Sequence, residues 1–145
     1  MSTGTVCSRV VATAGPDETV RAAAQRMATN HVGCLVVTLP KGSPALYGMV
    51  TDRDIAVCCV AGNLDPDRTL IREVMTSPVH SIDEFTPLEE AVSRMATSGV
   101  RRLVVTGAKD ELVGILTLDD VLDHLIKEAG SVGRLLEKQH AHVCG

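Results

Sequence analysis

Apolar and polar positions follow the same order in both halves of this chain. In the first half, a short extended segment (10–13) precedes a helical pattern (17–30), two apolar runs typical of strands (34–38 and 46–50) and a second helix (52–61). The first helical pattern places apolar side chains on one face, at Val20, Ala23, Ala24 and Met27. The first half therefore predicts the order β-α-β-β-α.

The second half repeats this order. An extended segment (79–82) is followed by a helix that ends near Gly99, by strands at 102–106 and 112–116, and by a helix that begins after Thr117 and runs to about residue 128. Each half is a small α/β unit that cannot bury its sheet alone. We therefore predict a mixed α/β (α+β) fold in which the two units fold as one body.

The two halves also share sequence. RMATNHVGCLVVT at Arg26–Thr38 returns as RMATSGVRRLVVT at Arg94–Thr106, with nine of thirteen positions identical. GMVTDRDI at Gly48–Ile55 returns as GILTLDDV at Gly114–Val121. A duplicated small unit favours a pair of related binding clefts over one asymmetric catalytic site.

These repeats set the predicted boundaries. Repeat 1 covers residues 5–62, a linker covers 63–75, repeat 2 covers 76–128, and a C-terminal helix or tail covers 129–145. Segment 131–139 is compatible with a further helix because Val132, Leu135 and Leu136 lie on one side.

Composition excludes several classes of function. The net charge of −4 argues against general binding to nucleic acid or anionic membranes, and two aromatic residues are too few for stacking on single strands. No apolar run reaches the length of a signal peptide or a membrane span, which predicts a cytoplasmic protein. Five cysteines without C-x-x-C spacing are typical of reduced core residues.

Few side chains suggest catalysis or metal binding. No serine, cysteine or carboxylate has an identifiable base, so we predict no enzyme and no catalytic residue. His140, His142 and Cys144 carry donors that transition metals accept, but three donors in a tail make a weak site, and no metal is predicted.

Each repeat contains the motif Gly-h-h-Thr-x-x-Asp-h, where h is apolar. The motif places Thr51 and Asp54 in repeat 1, and Thr117 and Asp120 in repeat 2, where a strand becomes a helix. A threonine hydroxyl beside free N–H groups at a helix start suits a phosphate, and the carboxylate suits two ribose hydroxyls. The same spacing is also a helix-capping pattern that needs no ligand.

Taken together, these features resemble a tandem pair of cystathionine-β-synthase (CBS) domains. The resemblance rests on the β-α-β-β-α order, the duplicated Met-x-x-x-x-Val-x-x-Leu-Val-Val block, the Thr-x-x-Asp endings, and the flanking segments Pro16–Val20 and Val74–Thr76. It covers about residues 5 to 128. It implies two repeats packed about a pseudo-two-fold axis. It also implies a non-catalytic regulatory module, with no required cofactor, that binds AMP, ADP, ATP or S-adenosylmethionine in clefts between the repeats.

The resemblance also assigns roles to residues. Asp54 and Asp120 would hold ribose hydroxyls, and Thr51 and Thr117 would bind ribose or the first phosphate. The apolar slot for adenine would be lined by the first strand of each repeat, through Val11, Thr13, Val79 and Ser81. Both repeats read Leu-Val-Val where the family commonly has Leu-Pro-Val, which restores a backbone donor near the cleft.

Basic residues make the two repeats unequal. Arg101 and Arg102 occupy the position where nucleotide-binding relatives place cations against phosphate, and repeat 1 has Gly33 and Cys34 there. Arg53 is a further phosphate candidate, and its counterpart is Asp119. We therefore expect unequal affinity in the two clefts. The alternative for the arginine pair is a surface pair whose stems cover apolar area.

Two functions follow from these observations. The first is an adenine-nucleotide-responsive regulatory module acting on another protein. Apolar residues at 55–60 and 121–126 predict that it is a homodimer. The alternative is a ligand-free dimeric interaction protein in which Thr-x-x-Asp only caps helices.

Overall fold

The computed structural model describes the backbone of residues 1–144 and the side chains of residues 1–139. Contacts divide the chain into two compact units, one formed by residues 10–80 and the other by residues 1–9 together with Ser81 onward. The elements in chain order are α1 (Thr3–Val6), β1 (Thr13–Ala14), α2 (Val20–Asn30), β2 (Cys34–Thr38), β3 (Tyr47–Thr51), α3 (Asp52–Asp54) continuing as a π-helical segment (Ile55–Val60), α4 (Ile71–Val74), β4 (Ser81–Asp83), α5 (Leu88–Ser98), β5 (Arg102–Thr106), β6 (Leu112–Thr117) and α6 (Leu118–Cys144).

The sheets of the two units have the same topology. In each, the first strand pairs in parallel with the second, and the second pairs antiparallel with the third, which gives the orders β1-β2-β3 and β4-β5-β6. The predicted α/β class and the repeated β-α-β-β-α order are confirmed. Two differences concern strand ends: β1 is confined to Thr13–Ala14 and β4 begins at Ser81, so both first strands are shorter than the extended segments predicted at 10–13 and 79–82.

Each core forms where apolar strand residues meet the helices. In the unit of residues 10–80, Leu35 and Val37 of β2 pack with Val20 and Met27 of α2. Thr19 caps α2 by accepting a hydrogen bond from Ala22 N–H at 3.1 Å. In the other unit the equivalent cluster contains side chains from α5, α6, β5 and β6, among them Ala91, Met95, Leu103, Leu116 and Val121.

The segment that precedes each repeat packs on the other repeat. Residues 1–9 lie on the sheet and helices of repeat 2: Thr3 is fully buried, and its N–H and hydroxyl both donate to the Thr86 carbonyl at 2.8 Å. Ser8 exchanges two backbone hydrogen bonds with Ile115 of β6 at 2.9 Å. The segment is therefore an extra edge element of repeat 2.

Residues 69–76 make the matching contacts on repeat 1. Ile71 N–H donates to Glu18 O, and Thr76 exchanges two backbone hydrogen bonds with Met49 of β3, at 2.9 and 2.8 Å. Within the segment predicted as the linker, Ile71 and Val74 belong to the core of repeat 1. Docking of this segment completes the unit of residues 10–80.

The second helices of the two repeats differ. After α3 the chain continues as π helix, in which Ala61 N–H donates to Ala56 O five residues back. In repeat 2, α6 continues for 27 residues through Gly130 and Gly133, well beyond the predicted end near residue 128. None of the helices in the described part of the chain has both the length and the apolar character needed to cross a membrane.

Candidate functional site

Both Thr-x-x-Asp motifs form reciprocal capping boxes. In repeat 2, Thr117 N–H donates to Asp120 Oδ2 at 3.1 Å, and Asp120 N–H donates to Thr117 Oγ1 at 3.1 Å. In repeat 1, Thr51 N–H donates to Asp54 Oδ2 at 2.9 Å, and Asp54 N–H donates to Thr51 Oγ1 at 3.1 Å. Each threonine hydroxyl accepts one bond and keeps its own proton for donation. Both motifs therefore cap their helices as predicted. Capping does not use the hydroxyl proton of either threonine, which can still be donated to a ligand.

An open pocket of about 270 Å³ lies at the start of α6. Its lining residues come from the beginning of β5, the end of β6 and the first turn of α6, and we call it the arginine pocket: Arg101, Arg102, Thr117, Leu118 and Asp119. Arg102 lies opposite Thr117 in the antiparallel ladder, and Leu118 N–H donates to Arg101 O at 2.9 Å. Strand pairing thus brings two guanidinium groups and the predicted threonine to one helix N-terminus, an arrangement that favours an anion.

The equivalent positions in repeat 1 have different chemistry. Cys34 lies opposite Thr51, and Asp52 N–H donates to Gly33 O at 2.9 Å, so the backbone matches that of repeat 2. In place of the arginines, the Asp52 carboxylate lies over Gly33, with one oxygen 3.1 Å from where a Cβ atom would stand. The backbone N–H of the exposed Arg53 donates to Asp52 Oδ1 at 2.8 Å. Repeat 1 therefore presents a carboxylate where repeat 2 presents cations.

Other residues of the predicted site lie outside the arginine pocket. Asp120 lines a neighbouring pocket with residues of α1 and α6, among them Thr5, Val6, Asp123 and His124. The remaining four residues lie at the first strands: Val11 and Val79 are half-buried just before them, while Thr13 and Ser81 are exposed as their first residues.

Two sets of residues that bear on the site were not assigned from the sequence. Leu118 and Asp119 line the arginine pocket, and for Asp119 a signal existed, since it is the counterpart of Arg53. The glycine of each motif also has a role of its own. A Cβ atom on Gly114 would stand 2.3 Å from Ser8 O, and one on Gly48 would stand 3.1 Å from Thr76 O. These glycines allow residues 1–9 to approach β6 and residues 69–76 to approach β3.

The cysteines and the histidines do not form a second site in the described part of the chain. Burial raises the pKa of the Cys7 thiol, which lies against Gly114 in the core of repeat 2. No group of three His, Cys, Asp or Glu side chains among residues 1–139 is arranged to hold a metal ion. The side chains of His140, His142 and Cys144 lie outside the described residues.

Comparison with known sequences gives a consistent family. The sequence profile of the CBS domain matches residues 4–59 and 71–127. The CBS domain-containing protein YhcV of Bacillus subtilis is 35% identical over 134 residues, which covers 91% of this chain and 92% of that protein. An uncharacterized protein of Methanopyrus kandleri, MK0525, is 34% identical over 122 residues; the match covers 84% of this chain but only 61% of that protein.

Comparison with solved structures agrees with the sequence matches. The CBS domain protein PAE2072 from Pyrobaculum aerophilum, solved in complex with AMP, superimposes with a TM-score of 0.72 and 28% identity. The match covers 83% of this chain and 89% of that one. That protein therefore shares the fold of this chain over most of its length.

Proposed function

This chain belongs to the CBS-domain family, whose paired domains are regulatory, and on that premise we propose that it is a non-catalytic sensor of an adenosine-containing ligand. The observation that carries the proposal is the convergence of Arg101, Arg102 and Thr117 on one pocket at the start of α6. The complex of PAE2072 with AMP supports the choice of ligand class. The proposed place of action is the cytoplasm, where such ligands are abundant.

The arginine pocket would take the phosphate end of the ligand. Both guanidinium groups belong to exposed residues, so they reach an incoming anion without first breaking a buried ion pair. The Thr117 hydroxyl donates to the same anion while Asp120 remains available for ribose. Thr51, Arg53 and Asp54 would form the weaker counterpart in repeat 1, because Asp52 opposes a phosphate there.

Regulation follows from differential binding. When the ligand binds, it would hold the start of α6 and the two arginines in one conformation of this protein. The ligand can alter a partner protein only to the extent that it binds this conformation more tightly than the alternative one.

We also propose that the chain acts as a homodimer. Large apolar side chains are exposed on the second helix of each repeat, with Val60 72% exposed in the π-helical segment and Ile126 69% exposed on α6.

Calorimetric titration with AMP and with adenosine tests the assignment. Wild-type protein should bind AMP, and the double variant Arg101→Gln/Arg102→Gln should lose at least about tenfold in AMP affinity, since each charged hydrogen bond contributes about 1.5–3 kcal/mol. Adenosine affinity should be unchanged, because it lacks the phosphate. The matched control is Arg94→Gln/Arg134→Gln, which removes the same charge from exposed positions on α5 and α6.

The outcomes separate the two functions. An equal loss in the control would show that net charge, not the pocket, binds the nucleotide. If AMP, ADP, ATP, S-adenosylmethionine and adenosine all fail to bind, the interaction protein is favoured. In that case Asp54→Ala and Asp120→Ala should cost only about 1 kcal/mol of stability each, as lost helix caps do. If the proposal holds, whichever of these two variants abolishes binding identifies the working repeat.

A further inference from the structure

One acidic side chain lines the arginine pocket, although phosphate binding does not require it. Asp119 is the second residue of α6 and is exposed beside Arg101 and Arg102. A carboxylate in the first turn stabilises a helix through the dipole, and that alone would account for its presence. Its position in the pocket adds a second effect, because it opposes any anion that the arginines attract.

The charges in the pocket fit one phosphate better than three. Arg101 and Arg102 contribute two positive charges and Asp119 removes one. The start of α6 adds no net positive charge, because the Asp120 carboxylate caps it. A phosphate monoester carries about −1.5 to −2 at neutral pH, which exceeds the remaining positive charge by the smallest margin of the three phosphate classes. A diphosphate or triphosphate brings further negative charge that the pocket leaves uncompensated and that faces the Asp119 carboxylate.

The pocket is open to solvent, so its volume of about 270 Å³ does not limit the length of the phosphate chain, and the selectivity rests on charge. In repeat 1 the position of Asp119 holds Arg53, so the two repeats carry opposite charge at this point of the motif.

We propose that Asp119 makes the arginine pocket selective for adenosine ligands with one phosphate by repelling those with two or three. The inference rests on the proposed function, and it adds to it the class of ligand and the residue that sets it. A repulsive group is a common source of specificity, because a like charge lowers the affinity for the more highly charged ligand more than it lowers the affinity for the less charged one.

The test compares AMP with ATP by calorimetric titration in magnesium-free buffer. Wild-type protein should bind AMP at least about tenfold more tightly than ATP, and Asp119→Asn should reduce that ratio by about tenfold, through tighter ATP binding. Asp119→Arg, which copies Arg53 of repeat 1, should reduce it further. Asp119→Glu keeps the charge and should keep the wild-type ratio.

A matched control lies one turn along the same helix. Asp123 pairs with Lys127 at 2.8 Å and lines a different pocket, so Asp123→Asn removes the same charge without entering the arginine pocket. Its AMP-to-ATP ratio should equal that of the wild type. Circular dichroism should show folded protein for every variant that is titrated, and Asp119→Arg serves if Asp119→Asn fails to fold.

Failure of this inference differs from failure of the proposed function. Equal binding of AMP and ATP by the wild type, or an unchanged ratio in Asp119→Asn, overturns the role of Asp119 while the sensor function stands. A loss of S-adenosylmethionine affinity in Asp119→Asn, with AMP and ATP unaffected, also overturns it, because the carboxylate would then be contacting a ligand ammonium. If the wild type binds none of these ligands, both proposals fall.

Discussion

Replacing Gly114 with alanine tests whether the leading segment 1–9 is held on β6 by close backbone contact. A Cβ atom at this position stands 2.3 Å from the Ser8 carbonyl oxygen and 3.0 Å from Cys7 Sγ. Because the nearer obstacle is backbone, relief requires the segment itself to move by roughly 1 Å before ordinary van der Waals distance is restored. The perturbation therefore acts on the whole segment and not on one side chain.

The expected cost follows from what that movement breaks. Ser8 and Ile115 exchange two hydrogen bonds of 2.9 Å, each contributing about 1 kcal/mol. Cys7, which is buried in the core of repeat 2, loses packing that we estimate at about 1 kcal/mol. Gly114→Ala should therefore lower the free energy of unfolding by about 3 kcal/mol, a large share of the roughly 5–15 kcal/mol typical of a domain.

Urea unfolding measures this loss, provided that the dependence of the unfolding free energy on urea concentration is the same in variant and wild type. Alanine substitutions at two other glycines provide the comparison. Gly133 of α6 has no atom within 4 Å of an added Cβ, so Gly133→Ala should stabilise by about 0.5–1 kcal/mol through helix propensity. Gly48→Ala should cost less than Gly114→Ala, since its Cβ meets Met75 Sδ at 3.0 Å and Thr76 O at 3.1 Å. The reasoning is refuted if Gly114→Ala lies within 0.5 kcal/mol of the wild type or costs less than Gly48→Ala.

Three further predictions concern charge, thiol reactivity and assembly. The hydrogen-bonded Arg26 guanidinium lowers the pKa of Glu18 below 4.5; the pair's stabilisation is thus complete above that pH and lost as the pH falls through the folded-state pKa. Urea unfolding from pH 6 to pH 3 should show this loss in the wild type and not in Glu18→Gln. The exposed Cys58 should react with a thiol reagent at pH 8 far faster than Cys7, whose pKa burial raises; equal rates by mass spectrometry would contradict this. Light scattering at micromolar concentration should give a dimer for the wild type and a monomer for Ile126→Asp, and a monomeric wild type would refute the homodimer.

Local pattern predicted the main strands and helices of both repeats, but not α1 at Thr3–Val6. Apolar β-branched runs predicted strands β2 and β5. The point where a strand becomes a helix predicted the positions of Thr51 and Thr117. The predicted helix end near residue 128 was wrong, because α6 continues through Gly130 into the segment at 131–139 that was predicted as a separate further helix. A glycine commonly ends a helix by adopting a left-handed conformation, as Gly99 does with φ of 65°, whereas Gly130 remains in helical conformation within α6.

Contacts between distant parts of the chain could not be predicted in the same way. Nothing in the polar segment around Thr3 indicates that it is buried against Thr86, because its partners are more than eighty residues away. For the candidate site the duplication helped. The resemblance to CBS pairs predicted that Arg101, Arg102 and Thr117 contact phosphate, and aligning the repeats showed that repeat 1 lacks the two arginines. That Arg102 lies opposite Thr117, and that Asp119 lines the same pocket, required the structure.

The packing of residues 1–9 on repeat 2 has a consequence for biosynthesis. Ser8 leaves the ribosome more than a hundred residues before its partner Ile115 is made, which at about 5–20 residues per second is a delay of roughly 5–20 s. Residues 69–76, by contrast, follow their partners on repeat 1 and can dock as soon as they emerge. The unit of residues 10–80 can therefore form while translation continues, whereas Thr3 stays in solvent, open to chaperones and proteases, until repeat 2 has been synthesised.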